Sequence, residues 1–280
     1  MTTSLSPHAR EWWTGQFAEL RGDADSDVEA TIVAPVRKSD AGSKPLLCIA
    51  DNGERYWVKF PNNPQTPQTL VPEVVVPELA ALIDAPVITP VRLATHPELV
   101  GETYDPSNVL RIPGGLAHGS PLIDDVVGRE EDLDYVRRDH NQLRIPRLLV
   151  LWDWAMGEDP QWLYDEHEQG SIWSFDHGCW LDAGEGPWTE PGLVNVSTQS
   201  WTFDEAIPDG LDAGAFIETA NRLDEVTASD ILSGLSRVPR QWEPDDAVLE
   251  GLGWCLYTRK PGVAARARAM SARFAKGGRR

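Results

Sequence analysis

The stretch Trp-Ser-Phe-Asp-His-Gly at residues 173–178 decides how this chain is interpreted, together with Asp-Pro-Gln at residues 159–161. Residues 171–175 are predicted to form a β-strand, and Asp176 stands directly after it. A carboxylate in that place can hold a divalent metal, while a second carboxylate on an earlier loop addresses the reacting group. Asp176 is therefore the first candidate metal ligand, and Asp159 is the second carboxylate.

A lysine lies upstream on a predicted hairpin. Residues 46–50 and 55–60 are rich in β-forming side chains, and Asn-Gly at residues 52–53 is the strongest short hairpin signal. Two-residue periodicity places Trp57 and Lys59 on one face of the second strand. If that face borders a cleft, the Lys59 ammonium can reach a phosphate; it can equally be a solvated side chain at a strand end. Such a side chain carries little packing, so its replacement is expected to spare the fold.

A helix is predicted over residues 70–84, after a polar loop. Glu73 lies near its start, where the helix dipole favours a carboxylate, and Glu78 competes with it as partner for the lysine. Pro77 inside the pattern predicts a bend or a later start. Residues 85–94 are interrupted by prolines and are predicted to form an edge strand.

The remaining chain is predicted to be mainly helical. A glycine-containing hinge is expected between residues 98 and 125, where His118 belongs to a turn. Pro146 is expected to open an apolar, buried helix that ends at Gly157. A strand is predicted at residues 28–36, and helices are predicted at residues 8–20, 130–142, 213–226, 229–238, 244–257 and 261–276.

The composition of the chain limits the class of protein to which it can belong. At 280 residues and 41% hydrophobic content, the chain suffices for one large domain or two lobes around a cleft. Three cysteines without C-x-x-C spacing predict a reducing cytoplasm, and no apolar run is long enough for a membrane span. A formal net charge of -19 leads us to expect no nucleic acid or membrane partner. The eight Lys or Arg from residue 259 onward are interpreted as a solvated helical face rather than a contact for RNA or a partner.

The order of these features resembles the HipA-like members of the protein-kinase-like superfamily. That order is a hairpin lysine, a helix glutamate, a hinge, a buried helix, D-x-Q and F-D-H-G, and it spans about residues 31–274. The resemblance implies an α+β, two-lobed protein-kinase-like fold. Residues 1–120 would be a small β-rich lobe with the nucleotide-binding hairpin and helix, and residues 121–280 a mainly helical lobe with the catalytic loop and the metal aspartate.

The resemblance also implies an ATP- and magnesium-dependent phosphotransferase. Lys59 would grip the nucleotide phosphates, Glu73 would orient Lys59, Asp159 would engage the acceptor hydroxyl, and Asp176 would carry Mg²⁺. Ser43 and Lys44, in the loop Ala-Gly-Ser-Lys-Pro at residues 41–45, would contact the nucleotide. The acceptor would be a protein Ser/Thr or a small-molecule hydroxyl.

The catalytic loop departs from the family pattern. HipA-like kinases usually carry D-R-x-x-x-N, whereas this chain has Asp-Pro-Gln-Trp-Leu-Tyr at residues 159–164. Either Gln161 supplies an amide oxygen to Mg²⁺, or a second metal is bound differently. A pseudokinase that binds nucleotide or a partner without transfer is therefore the alternative, and a metal-dependent hydrolase is a third hypothesis.

Three neighbouring side chains have structural interpretations that compete with functional ones. Asp153, in the apolar helix, is expected to be a hydrogen-bond acceptor rather than a catalytic group. His177 is expected to orient its neighbours, since a lone histidine is weak evidence for a ligand. Cys179 is expected to be a packed thiol.

Overall fold

Five strands close into a barrel within residues 30–121. The structure is a computed structural model that describes residues 6–21, 27–129, 132–183 and 186–277. The barrel order is β1-β2-β3-β5-β4, and β1 and β4 are its only parallel neighbours. The strands are β1 (Ala30–Lys38), β2 (Leu46–Ala50), β3 (Arg55–Lys59), β4 (Val91–Thr95) and β5 (Leu116–Pro121).

The predicted hairpin is confirmed as β2 and β3. Gly53 in its turn has a φ of 85°, in the left-handed region that glycine adopts without steric cost. The register pairs Leu47 with Trp57 and Leu46 with Val58. Val58 points into the barrel core, so Trp57 and Lys59 share the outward face, as the periodicity predicts.

The edge-strand prediction for residues 85–94 is wrong. Strand β4 pairs with both β1 and β5 and therefore lies inside the barrel. Pro86 and Pro90 both precede β4, so neither removes a hydrogen bond from its ladders. Val87, between them, makes an isolated bridge to Ser174 instead. The two prolines thus divide one apolar run between two different sheets.

A second, antiparallel sheet has the order β6-β7-β8. Its strands are β6 (Val126–Arg129), β7 (Trp162–Asp165) and β8 (Ser171–Ser174). The hairpin of β7 and β8 pairs Trp162 with Ser174, and the Phe175 N–H donates to the Gln161 carbonyl at 3.2 Å. This register places Gln161 beside the residue that precedes Asp176.

Seven helices and three 3-10 turns complete the described chain. The helices are α1 (Phe17–Leu20), α2 (Leu70–Leu82), α3 (Asn141–Trp154), α4 (Glu190–Val196), α5 (Ala213–Glu225), α6 (Ala228–Ser236) and α7 (Asp246–Gly277). The 3-10 turns are Arg10–Trp13, Pro67–Thr69 and Pro97–Leu99. No helix among the described residues is both long and apolar enough to cross a membrane.

Prolines lie inside helices where the sequence predicts helix starts. Pro146 is within α3, which begins at residue 141, and Pro261 is within α7, which joins the two helices expected at residues 244–257 and 261–276. Pro77 is likewise inside α2. An interior proline removes one backbone hydrogen bond, but burial of the flanking apolar side chains stabilises the helix as a whole.

Three other predicted elements differ from the observed ones. Residues 132–140 are not helical, and residues 130–131 of that predicted helix lie outside the described part. The helix predicted at residues 8–20 is a 3-10 turn followed by the short α1. The region expected to be a glycine hinge contains β5, which includes His118.

Two residues of the basic run, Arg259 and Lys260, point into the protein interior. Arg259 is buried and donates to the Asp153 and Val196 carbonyls near the ends of α3 and α4. Lys260, also buried, donates to the Val226 carbonyl at the end of α5. The last carbonyls of a helix lack partners within the helix, so these two residues satisfy three helix ends. The interpretation of the basic run as a solvated helical face is therefore wrong for Arg259 and Lys260.

Candidate active site

Lys59 is the centre of a group of charged side chains. It is the last residue of β3 and is buried, and its Nζ donates to both the Glu73 and the Asp176 carboxylates. Glu73 stands in the first turn of α2, and Asp176 follows β8 by two residues. Three elements distant in sequence therefore meet at one ammonium group.

The segment after β8 is attached directly to α2. The His177 N–H donates to Glu73 Oε2 at 3.2 Å. Asp176 adopts a left-handed φ of 57°, a region in which aspartate is enriched among non-glycine residues. Gly178 approaches α2 closely, because an added Cβ would lie 3.3 Å from Glu73 Oε1. The two residues after Asp176 are thus fixed against α2.

The ionisation of these groups follows from burial and mutual attraction. Burial opposes the charge on Glu73, yet Lys59 outweighs it and lowers the pKa of Glu73 to about 2. Burial also opposes the charge on Lys59, but the two carboxylates raise its pKa above the ordinary value. Burial raises the pKa of Asp176, and the Glu73 and Asp159 charges add to that effect. At neutral pH, Glu73 and Lys59 form a buried ion pair.

Two buried histidines flank Glu73. His118 Nε2 is 3.6 Å from Glu73 Oε2, and His177 Nε2 is 2.9 Å from Ser174 Oγ. Burial lowers the pKa of both imidazoles to about 4, so both are neutral near pH 7. The sequence places His118 in a turn, whereas β5 pairs it with Lys59. The run Leu-Ala-His-Gly-Ser-Pro of β5 has no alternating pattern, so no local signal identifies it as a strand.

A cavity of about 170 Å³ opens beside Lys59. It is lined by Ser39, Pro45, Trp57, Lys59, Glu73, His118, Ser120, Phe175 and Asp176. Two of the predicted nucleotide contacts, Ser43 and Lys44, lie in the loop between Ser39 and Pro45 but do not line the cavity. Ser43 is buried, and Lys44 Nζ donates to the Asp40 carbonyl at 2.9 Å. Ser39 and Pro45, at the two ends of this loop, line the cavity together with Lys59. The Ser43 and Lys44 side chains between them do not.

Asp159 and Gln161 lie on the loop between α3 and β7. Asp159 is exposed and has a φ of 52°, and its charge helps to raise the pKa of Asp176. The Gln161 side-chain amide donates to Asp159 Oδ1 at 3.4 Å. Among the described residues there is no group of three or more His, Cys, Asp or Glu side chains that could hold a metal. Oxygen ligands here would come from Asp176, with Gln161 or Asp159 beside it.

The competing interpretations of nearby acids are resolved. Glu78 pairs with Arg237 at 2.8 Å, so Glu73 is the partner of Lys59. Asp153 accepts hydrogen bonds from the Trp201 N–H at 2.9 Å and from Arg266 at 2.6 Å, which confirms its structural role. Burial raises the pKa of the half-buried Cys179 thiol, as expected of a packed cysteine.

A solved structure shares this fold. The crystal structure of a Helicobacter pylori proinflammatory kinase, CtkA, superposes with a TM-score of 0.57 at 12% sequence identity, over 88% of this chain and 97% of that chain. The chain has a kinase-like fold. At 12% sequence identity, the similarity to CtkA shows a shared fold but does not show a shared activity.

Weaker matches are structures of the Golgi casein kinase. One has a TM-score of 0.47 at 10% identity, over 92% of this chain and 75% of that chain. Another, with Mn/ADP bound, has a TM-score of 0.49 at 10% identity, over 92% of this chain and 77% of that chain. No protein-family model matches the sequence, and no curated protein matches it significantly.

Proposed function

We propose that this chain is an ATP- and magnesium-dependent phosphotransferase of the HipA-like type. The observation that carries the proposal is the buried Lys59, held between Glu73 and Asp176 at the wall of a cavity. In the proposed two-lobed arrangement, residues 1–120 supply the barrel and α2, and residues 121–280 supply the catalytic loop and Asp176. The three free cysteines support a reducing, cytoplasmic location.

Lys59 would bind the nucleotide phosphates. Its pKa lies above the ordinary value, so it stays cationic at any physiological pH. Glu73 orients it from α2, and Glu73 is itself fixed by the His177 N–H. A preorganised ammonium stabilises charge on the transferring phosphoryl group without having to reorganise during the reaction.

The donors present fit a magnesium ion. The Asp176 side chain is 43% exposed and provides carboxylate oxygen, and Gln161, whose backbone carbonyl accepts from the Phe175 N–H, would add an amide oxygen. Mg²⁺ typically binds through one or two carboxylates together with substrate phosphates, so a small protein donor set is sufficient. The bound ion would neutralise charge on the phosphates.

Asp159 would orient the acceptor hydroxyl and accept its proton. It is exposed on a loop and close enough to Asp176 for their charges to interact. We propose a protein Ser/Thr or a small-molecule hydroxyl as the acceptor. Loss of one positioned acid-base group typically lowers turnover by about 10²–10⁴-fold.

A pseudokinase is the second candidate. Pro160 stands where the family pattern has arginine, and the downstream asparagine of that pattern is absent from residues 159–164. These features favour a chain that binds nucleotide without transferring phosphate.

The two candidates are separated by an assay with labelled ATP and Mg²⁺, with and without cell extract. Phosphate incorporation by the wild type, lost in Asp159→Asn, supports the phosphotransferase. Tight magnesium-dependent ATP binding without incorporation supports the pseudokinase. If calorimetry detects no ATP binding, both are refuted.

A further inference from the structure

A cavity of about 240 Å³ lies between α3, α5, α7 and the segment of residues 201–207 that precedes α5. All but four of its lining residues are apolar, and they include Phe216 on α5 and Val263 and Met270 on α7. Among the described residues, none lines both this cavity and the one beside Lys59. This α3–α7 cavity is therefore separate from the proposed active site.

The apolar wall of the α3–α7 cavity keeps accessible surface. Trp201, Phe203, Ile207 and Met270 all line it, and each of them is half-buried. Apolar side chains grouped in this way around a concave site are typical of a site for a small molecule. An apolar cavity of about 150 Å³ takes up benzene, which has six carbons. In proportion, a cavity of about 240 Å³ holds an apolar group of about nine or ten carbons.

The four polar residues of the wall carry a surplus of positive charge. They are Asp153, Thr202, Arg266 and Arg273. Both carboxylate oxygens of Asp153 accept hydrogen bonds from Arg266, at 2.6 and 2.9 Å, so Asp153 is already neutralised. Arg273 is exposed, lies 5.3 Å from the centre of the Phe274 ring and forms no salt bridge with a described residue. Its guanidinium is therefore available to an anionic group.

The neighbouring charges do not cancel this surplus. The buried Arg259 is 3.5 Å from Asp153 Oδ1 and adds a second cation to the same carboxylate. The acidic residues of the segment before α5 are exposed and do not line the cavity; they are Asp204, Glu205 and Asp209. The cavity thus combines an apolar wall with local positive charge, although the whole chain has a formal net charge of -19. This combination is complementary to a ligand with an apolar body and one anionic group.

We propose that the α3–α7 cavity binds an aliphatic monocarboxylate of about eight to ten carbons, with its chain against the apolar wall and its carboxylate at Arg273. This site is additional to the proposed phosphotransferase site and does not depend on it. Burial of the chain supplies most of the affinity, about fourfold for each methylene group. The exposed ion pair with Arg273 contributes less, roughly 1.5- to 5-fold, and selects for the anion.

The test measures binding of three probes by calorimetry at pH 7: hexanoate, octanoate and octanol, which has the octyl chain without the charge. Arg273→Gln removes the proposed cationic partner. Arg268→Gln is the matched control, because Arg268 is also an exposed arginine of α7 but pairs with Asp224 and does not line the cavity.

Two further variants reduce the space in the cavity. Ala267→Leu enlarges a buried side chain of the wall, and Thr202→Trp enlarges an exposed one. Circular dichroism and Tm show whether each variant is folded. If Ala267→Leu is not folded, Thr202→Trp decides alone, because an exposed position tolerates a larger side chain.

Octanoate should bind to the wild type about 15-fold more tightly than hexanoate, since it has two more methylene groups. It should also bind roughly 1.5- to 5-fold more tightly than octanol. Arg273→Gln should remove the difference between octanoate and octanol without changing the affinity for octanol, and Arg268→Gln should match the wild type. Ala267→Leu and Thr202→Trp should weaken octanoate and octanol alike, by about fourfold or more.

Four results would overturn the inference. The first is that the wild type binds neither octanoate nor octanol. The second is equal affinity for hexanoate and octanoate, since the chain would then not be buried. The third is unchanged octanoate affinity in the folded variants with reduced space, which would place the ligand elsewhere. The fourth is equal affinity of the wild type for octanoate and octanol, since the carboxylate would then not be recognised. None of these results bears on binding of ATP beside Lys59.

Discussion

Replacement of Lys59 by methionine should destabilise the protein substantially. Glu73 is 3% exposed, and Lys59 holds the pKa of Glu73 at about 2 instead of its ordinary 4.5. That difference corresponds to about 3 kcal/mol, at about 1.4 kcal/mol per tenfold change in the proton dissociation constant. Asp176 adds little, because its side chain is 43% exposed and water screens its charge. A loss of about 3 kcal/mol agrees with the cost of leaving a buried charge unpaired.

Urea unfolding at pH 7 of the wild type, Lys59→Met, Glu73→Gln and the double variant tests this magnitude. The double variant should lose less than the sum of the single losses, because the second substitution removes the charge that the first leaves unpaired. Lys44→Met is the control, since Lys44 pairs with an exposed Asp40 at 3.8 Å and should change stability by less than about 0.5 kcal/mol. A loss below about 1 kcal/mol in Lys59→Met would refute the reasoning.

The pH dependence gives an independent check on Glu73. Its pKa is lower in the folded state, so its contribution is present in full above pH 4.5 and is lost as the pH falls from 4.5 towards about 2. Without Lys59, burial should raise the pKa of Glu73 and favour its protonation. The difference in unfolding free energy between the wild type and Lys59→Met should therefore be largest near neutrality and shrink in acid. A difference that is constant with pH would contradict the assignment.

Three further substitutions test the catalytic role of Asp159, the metal-binding role of Asp176 and the structural role of Asp153. Asp159→Ala should keep ATP affinity in calorimetry and lower phosphate incorporation by roughly 10²–10⁴-fold; equal activity would make Asp159 a structural loop residue. Asp176→Asn should remove the extra thermal stabilisation that ATP gives with Mg²⁺, and identical shifts in both proteins would exclude Asp176 as the ligand. Asp153→Ala should lose about 3 kcal/mol in urea, because it removes the carboxylate that neutralises Arg259 and Arg266, while nucleotide affinity stays unchanged. Weakened ATP binding there would assign Asp153 to the site.

Local signals account for the parts of the fold that could be predicted. Asn52-Gly53 specifies its turn through backbone geometry, and the register of β2 and β3 follows from it. The Thr227 and Asp230 capping box fixes the start of α6, again through contacts within a few residues. The strand before Asp176 is also a local feature, and the structure has it as β8, which ends at Ser174.

Properties set by distant contacts could not be predicted. Lys59 is expected from its strand-end position to be dispensable for folding, but α2 and the segment after β8 bury it. Pro146 and Pro261 act as helix-start signals locally, yet tertiary packing extends α3 and α7 through them. The position of β4 within the barrel depends on partners from β1 and β5, which no local pattern of prolines reveals.

The dependence of three helix ends on α7 has a consequence for biosynthesis. Arg259 and Lys260 are translated after all the residues whose carbonyls they satisfy. While the chain is still on the ribosome, α3, α4 and α5 can be present, but their ends remain without these donors, and their apolar faces lack the α7 surface. A nascent chain should thus stay protease-sensitive in this region until α7 has emerged. Premature termination before residue 259 would yield a polypeptide that chaperones and proteases recognise as incomplete, even though the whole barrel and every proposed site residue had been synthesised.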